Sequence, residues 1–174
     1  MAVRSVGGGF VKLYIKQKAF SWKDRFNISD MNGTPVYSVE GEVFTVGKKL
    51  HLLDANGNEV AFVHQKVFSF FPRYFVSING EDVAEVVKEF SFLKPKYRVE
   101  GPGWRITGDY LSHNYEITAG DTVVAAITKK WMTWSDTFEI DVHDDRNDVL
   151  ALSIVLIIDA VMDAEAASAA GSAH

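Results

Sequence analysis

The sequence contains no cysteine, so it can form no disulfide, no thiolate nucleophile and no zinc site of the cysteine type. It also lacks a G-x-S-x-G nucleophile elbow, a Walker A motif, a G-x-G-x-x-G motif and an H-E-x-x-H pair. These absences exclude the enzyme classes that such motifs mark. We therefore expect a protein that is not an enzyme and that holds neither a cofactor nor a catalytic metal.

An apolar signal-peptide core is also missing from residues 1–18, which predicts an intracellular protein, cytoplasmic or peripheral at a membrane. The formal net charge is −5, and this acidic total argues against non-specific binding of nucleic acid. Basic side chains are concentrated in residues 1–30, whereas acidic side chains dominate from Glu139 onward. At 174 residues the chain is long enough for one domain with a sizeable core, and we expect a monomer.

One long apolar run is present, from Val149 to Ile158, and it carries no charge. Crossing a bilayer takes about 20 apolar residues, but this run is bounded by Asp148 and ended by Asp159. Its large apolar residues cover every face of a helix, and they are Leu150, Leu152, Ile154, Val155, Leu156, Ile157 and Ile158. A helix that is apolar all round must be enclosed, which predicts a buried central helix near 147–164. Asp159 then lies where the helix leaves its enclosure, or it needs a buried partner.

Hairpin signals recur along the rest of the chain. Asn-Gly stands between apolar, β-branched or aromatic runs three times, and Ala119-Gly120-Asp121 occupies the same place in a fourth. Further strands are predicted for "VKLYIK", "EVFTV", "YRVEG" and "WRITG", which brings the total to about twelve. This pattern indicates an antiparallel sandwich or barrel.

Internal repeats favour the barrel. Residues 17–28 align with 129–140 without gaps, and residues 65–74 align with 87–97. Repeated β units suit a closed sheet, which has no exposed edges. We interpret the aromatic residues of these segments as core and corner packing, namely the Phe-Ser-Phe steps and Trp22, Trp104, Trp131 and Trp134.

The predicted fold is therefore mainly β, a closed antiparallel barrel of about twelve strands that encloses one hydrophobic C-terminal helix. A single domain is expected over residues 10–165, with flexible tails at 1–9 and 166–174.

Four segments resemble the LURP-one-related group of the tubby C-terminal-like superfamily: "LYIKQKAFSWKDRFNISDMNG", "EVFTVGKKLHLLDANGNEVAFVHQKVFSFFPRY", "VVKEFSFLKPKYRVEG" and "ALSIVLIIDAV". The similarity extends from Leu13 to Val161. It implies a twelve-stranded barrel around a central C-terminal helix. It carries over no established chemistry, although tubby-like relatives bind phosphoinositides and scramblase relatives are membrane-associated.

A basic strip is the candidate site. Alternation along the first strand places Lys12, Tyr14, Lys16 and Lys18 on one face, although a solvated outer wall is the commoner meaning of this pattern. The repeats could enlarge the strip with Lys23, Arg25, Lys129 and Lys130. The leading hypothesis is a non-catalytic module that binds anionic phospholipid headgroups of the phosphoinositide kind. The alternatives are a protein-interaction or scaffold domain and, third, a DNA-associated regulator.

The segment "DVHDDRND" gathers aspartates that could hold a hard cation. Its spacing follows no known ion loop, and acidic residues are expected before the N-terminus of a helix. We therefore interpret it as the start of the central helix, with Asn147 or Asp148 as the cap.

Overall fold

The computed structural model describes residues 9–16, 25–91, 96–132 and 135–171. Twelve antiparallel strands close into one barrel, in which each strand pairs with its neighbours in sequence and β1 pairs with β12. The strands are β1 Val11–Lys16, β2 Phe26–Ser29, β3 Pro35–Gly41, β4 Lys49–Asp54, β5 Glu59–Gln65, β6 Arg73–Ile78, β7 Glu81–Glu89, β8 Lys96–Glu100, β9 Trp104–Asp109, β10 Asn114–Ala119, β11 Thr122–Met132 and β12 Ser135–Val142. A 3-10 turn, Asp145–Asn147, leads into the helix α1, Asp148–Gly171. The predicted fold class is confirmed.

The strands form where apolar and polar residues alternate. On β1, Leu13 and Ile15 are buried inside the barrel, whereas Lys12 and Lys16 face out. Tight turns join many of the strands, and Gly33, Gly57 and Gly80 adopt the positive φ angles that such turns require.

The segment "EVFTV" was predicted to be a strand, and that prediction is wrong. Residues 42–48 form the loop between β3 and β4. Phe44 and Gly47 both have positive φ, at 63° and 80°, which interrupts an extended strand. The local run of β-branched and aromatic residues indicates a strand, but the backbone turns outward here before β4 begins.

The helix α1 fills the barrel. Its side chains from Ala151 to Val161 are all buried, and Ile154, Ile157 and Ile158 have no exposed surface. Leu150 is half-buried and packs against the same core. A closed sheet of this size has an interior that must be filled by side chains or a ligand, and here a helix fills it.

The start of α1 agrees with the prediction, but its end does not. The helix continues to Gly171, beyond the predicted end near residue 164 and into the segment expected to be flexible. The extension is rich in alanine, the residue with the highest helix propensity, so the helix persists after it leaves the barrel. Among the described residues, we find no helix that is long and apolar enough to cross a membrane.

Aspartates organise the entry of the chain into α1. The Asp144 carboxylate accepts a hydrogen bond from the backbone N–H of Arg146 and caps the 3-10 turn. The buried Asp148 carboxylate accepts hydrogen bonds from the Tyr37 hydroxyl at 2.6 Å and from the backbone N–H of Val149 at 2.6 Å. These contacts tie the helix start to β3 across the interior.

Tyr37→Phe is expected to lower the free energy of unfolding by about 1–3 kcal/mol, because it removes a donor from a buried carboxylate. Urea denaturation followed by tryptophan fluorescence measures this loss. Tyr14→Phe is the matched control, since its hydroxyl donates to Glu139 on the partly exposed outer wall. A smaller loss at Tyr37 than at Tyr14 would contradict the assignment of Tyr37 as an anchor of the helix start.

Candidate functional site

The two ends of the barrel have different connections. Short turns join the strands at one end, which we call the tight-turn rim: 30–34, 55–58, 79–80, 101–103 and 120–121. Longer loops stand at the other end, which we call the long-loop rim, and its described parts are 42–48, 66–72, 90–91 and 110–113. Because β12 ends at the tight-turn rim, α1 enters there and emerges at the long-loop rim.

Large apolar side chains are exposed mainly at the long-loop rim. In the described part of the chain, all such side chains except Phe10 and Met31 lie there, and they are Val43, Phe44, Val46, Val67, Phe68, Phe70, Phe90 and Leu111. Soluble domains rarely collect exposed apolar groups at one place unless the place binds something. The long-loop rim is therefore the candidate functional site.

The aromatic residues were interpreted as core and corner packing, and this interpretation is right for some of them and wrong for others. Trp104 is buried in the core, as expected, but Phe68, Phe70 and Phe90 of the Phe-Ser-Phe steps are exposed and do not pack in the core. The physical reason is that α1 and the inward strand residues already fill the interior. Phe92, which completes the second step, lies outside the described residues. Trp22 and Trp134 lie outside the described residues, as does the side chain of Trp131.

Phe44 and Phe68 have an unusual backbone conformation. Their φ angles are 63° and 61°, in the left-handed region, and their side chains are 105 % and 101 % exposed. For a bulky residue this conformation is an outlier that costs of order 1 kcal/mol or more, and such strain is concentrated at functional positions. Neither phenylalanine recovers that cost by burying its ring inside the protein, which makes both of them candidate functional residues.

The loops that carry these two phenylalanines form one surface. The backbone N–H of Lys48 donates to the Gln65 side chain at 3.2 Å, and the backbone N–H of Gln65 donates to the Lys48 carbonyl at 2.8 Å. Gly47 lies so close to the second loop that a Cβ there would be 3.1 Å from Cγ2 of Val67. Loops 42–48 and 66–72 are thereby held side by side.

Charge is distributed unevenly between the two rims. Within the described ranges, the cations at or next to the long-loop rim are Lys16, Arg25, Lys48, Lys49, Lys66, Arg73, Lys88, Lys96, Lys129 and Lys130. The acids there whose side chains are described are fewer: Glu40, Glu42, Glu89, Asp109, Asp163 and Glu165. The tight-turn rim has the opposite excess, with Asp30, Asp54, Glu59, Glu81, Asp82, Glu100, Asp121, Asp144, Asp145 and Asp148 against Lys12, Arg105 and Arg146. The barrel therefore has a basic end and an acidic end.

The predicted basic strip is only partly assembled. Lys12, Tyr14 and Lys16 share the outer face of β1, but acids from β12 lie beside them. The Lys12 ammonium is 3.3 Å from Asp141 and 3.5 Å from Glu139. Hydrogen bonding to Asp141 and the nearby carboxylates raise the pKa of Lys12. Lys18 and Lys23 lie outside the described residues.

The other predicted members of the strip lie in different places. Lys130 joins the strip through Glu139, at 3.3 Å, whereas Arg25 pairs with Glu40 on β3, at 3.0 Å. Although burial opposes it, the hydrogen bond from Tyr14 and the ammonium groups nearby hold the pKa of Glu139 below its usual value. The strip thus carries its own counter-charges. Lys129 instead lines a shallow depression of about 440 Å³, with Leu111, Ser112, Asn114 and Thr128.

A buried hydrogen bond holds α1 where it leaves the barrel. Nε2 of His113 is 2.6 Å from a carboxylate oxygen of Asp159, and the imidazole stacks on Phe138 with the ring centroids 4.1 Å apart. Asp159 is 5 % exposed, so the predicted need for a buried partner is met. Sequence patterns did not identify His113, because it stands alone in a loop far from Asp159 along the chain.

A metal centre has no support in the described ranges, where no group of three or more histidine or acidic side chains could hold an ion. Two aspartates of "DVHDDRND", Asp144 and Asp148, accept hydrogen bonds at the helix start, and Asp141 lies beside Lys12.

Comparison with known proteins identifies the family. The sequence profile described as LURP-one-related matches residues 11–159. This chain belongs to the LURP-one-related family. The LURP-one-related resemblance inferred from the sequence is thereby confirmed.

Individual relatives agree with this assignment. The chain is 34 % identical to the uncharacterized protein YxjI of Bacillus subtilis (strain 168), over 87 % of this chain and 94 % of that protein. It is 27 % identical to Protein LURP-one-related 15 of Arabidopsis thaliana, over 87 % of this chain and 80 % of that protein. An X-ray structure of an Arabidopsis thaliana protein superposes with a TM-score of 0.63 at 22 % identity, covering 87 % and 91 % of the two chains, which shows the shared fold. None of these names denotes an enzyme.

Proposed function

We propose that this LURP-one-related domain is a non-catalytic module that binds anionic phospholipid membranes through its long-loop rim. The observation that carries the proposal is the pair of fully exposed phenylalanines, Phe44 and Phe68, held in left-handed backbone at the tips of two adjoining loops. The left-handed backbone costs conformational free energy, yet both rings remain exposed to solvent. Cations outnumber acids around them.

The shape and chemistry of the rim suit a bilayer. The exposed apolar side chains of the described residues stand on several separate loops, so they can enter a bilayer at several points. Burying a phenylalanine side chain in an apolar phase is worth about 1.5–3 kcal/mol. A lysine or arginine near an anionic membrane surface adds about 1 kcal/mol. Two or three inserted rings and a few cations therefore supply several kcal/mol of membrane affinity.

The charge asymmetry favours one orientation. An anionic membrane attracts the basic long-loop rim and repels the acidic tight-turn rim. This attraction turns the exposed phenylalanines toward the lipid before contact. The sequence-based hypothesis placed the site on the strip of Lys12, Tyr14, Lys16 and Lys18. The proposal moves it to the long-loop rim, where cations outnumber acids and large apolar side chains are exposed.

Flotation with vesicles tests the proposal. Wild-type protein is expected to float with vesicles that contain phosphatidylserine and to float far less with phosphatidylcholine alone. Phe44→Asn combined with Phe68→Asn should reduce binding about a hundredfold, since each lost ring removes about 1.4 kcal/mol or more, which is a factor of about ten. Asparagine tolerates the left-handed conformation, so the folded structure should be as stable as the wild type or more stable.

Matched controls lie away from the long-loop rim. Met31→Asn removes an exposed apolar side chain from the tight-turn rim, and Lys12→Gln removes a cation from the strip. Both variants should bind vesicles nearly as well as the wild type. Absence of wild-type binding, or equal binding by the doubly substituted protein, would overturn the proposal and leave protein interaction as the better account of the rim.

A further inference from the structure

A half-buried lysine lies at the base of the exposed loops. Lys88 is close to the end of β7, just before Phe90. Burial lowers the pKa of Lys88. Burial disfavours the charged form of a lysine, and an anion beside the ammonium group offsets that cost.

The helix supplies this anion. After Val161, the last buried residue of α1, the helix emerges at the long-loop rim. Glu165 of the emerging turn forms an ion pair with Lys88. Glu165 is solvent-exposed, and so is the rest of the helix to Gly171. The counter-ion of Lys88 is therefore provided by a segment with little packing of its own.

We propose that Lys88 forms a subsite for the phosphate of an anionic phospholipid, and that Glu165 occupies it as an internal substitute until a membrane displaces it. The inference rests on the proposed membrane-binding function and assigns the headgroup contacts and their regulation. A phosphodiester carries the same charge as one carboxylate and offers further acceptor oxygens. Replacing the internal carboxylate by the lipid phosphodiester therefore changes the free energy little. Insertion of the neighbouring phenylalanine rings into the bilayer then favours the lipid.

The subsite has a specific consequence for mutants. Removing an internal acid frees a lysine for the lipid and strengthens binding, whereas removing the lysine weakens it. If Glu165 acts through Lys88, the gain from Glu165→Gln must disappear once Lys88 is absent. A general effect of net charge would persist in either background.

The experiment is a double-mutant cycle measured by flotation on vesicles of phosphatidylcholine and phosphatidylserine. Glu165→Gln is expected to raise the partition coefficient several-fold, and Lys88→Gln is expected to lower it by a similar factor. The doubly substituted protein should equal Lys88→Gln alone. Asp121→Asn, on the tight-turn rim, changes net charge by the same amount and should leave binding unchanged.

Three outcomes would overturn the inference. They are unchanged binding by Glu165→Gln, a gain from Glu165→Gln that survives in the Lys88→Gln background, and an equal gain from Asp121→Asn. Inorganic phosphate at matched ionic strength should not release the protein from vesicles, because it offers no apolar phase to Phe44 and Phe68. Release by phosphate would assign Lys88 to a free anion and would also contradict the subsite as stated.

Failure of this inference can be told from failure of the proposed function. If the wild type binds vesicles and loses binding with Phe44→Asn and Phe68→Asn, but the Glu165 cycle shows no coupling, only the subsite is wrong. If the wild type does not bind vesicles at all, both the function and the subsite are wrong.

Discussion

Replacing Ile154 by aspartate is expected to unfold the entire domain. Ile154 has 0 % exposure and lies in the part of α1 that the barrel surrounds on every side. An unpaired carboxylate buried there costs several kcal/mol or more even if it becomes protonated. A domain of this kind has a free energy of unfolding of about 5–15 kcal/mol, so the helix and the barrel should be lost together.

Circular dichroism and limited proteolysis of Ile154→Asp would measure this loss. Ile154→Val is the conservative control and should cost about 0.5–1.5 kcal/mol. Ala166→Asp introduces the same charge on the exposed extension of α1 and should leave the fold intact. A cooperative thermal transition near the wild-type temperature for Ile154→Asp would show that the barrel does not depend on an enclosed helix.

His113→Asn is expected to lower the free energy of unfolding by about 3–5 kcal/mol, because it leaves the buried Asp159 carboxylate without its partner. Asparagine tolerates the positive φ of this position, which is 49°, but its side chain is too short to reach Asp159. The stacking of the imidazole on Phe138 is lost as well. We therefore expect loss of the His113–Asp159 contact to lower the free energy of unfolding more than loss of the other polar contacts described above.

Replacing Asp159 should lower the free energy of unfolding less than replacing His113. Asp159→Asn leaves an amide that can still hydrogen-bond to the His113 imidazole, so we expect a cost of only about 1–2 kcal/mol. Combining His113→Asn with Asp159→Asn should recover part of the loss caused by His113→Asn alone. Denaturant titration of the three variants gives these values. A larger loss for Asp159→Asn than for His113→Asn would mean that the buried charge is stabilised by groups other than His113.

Local patterns were sufficient to predict most of the fold. Successive side chains of a strand such as β1 point to opposite faces of the sheet, and one of these two faces is apolar. Asn-Gly pairs favour the positive φ angles of tight turns. The run from Val149 to Ile158 is apolar on every side, so it had to be enclosed. Each of these inferences depends on residues that are close together in the sequence.

The same patterns were insufficient for the candidate site. "EVFTV" and the Phe-Ser-Phe steps have the composition of strands and cores, but residues 42–46 and the side chains of Phe68, Phe70 and Phe90 lie exposed at the long-loop rim. An aromatic residue can pack inward only where interior space remains, and α1 fills the interior of this barrel. The left-handed conformation of Phe44 and Phe68 has no signal in the local sequence, because neither is a residue type that favours it.

The sequence by itself determined that Lys12, Tyr14 and Lys16 lie on one outer face, that the strands pair through tight turns, and that the helix is enclosed. Only the tertiary structure decided which charges meet. The register of β1 against β12 places Glu139 and Asp141 beside Lys12, and the depth of α1 in the barrel places Asp159 at His113 and Glu165 at Lys88. Alternation and turn formation depend on bonded neighbours, whereas ion pairing depends on distances between segments that only closure of the barrel brings together.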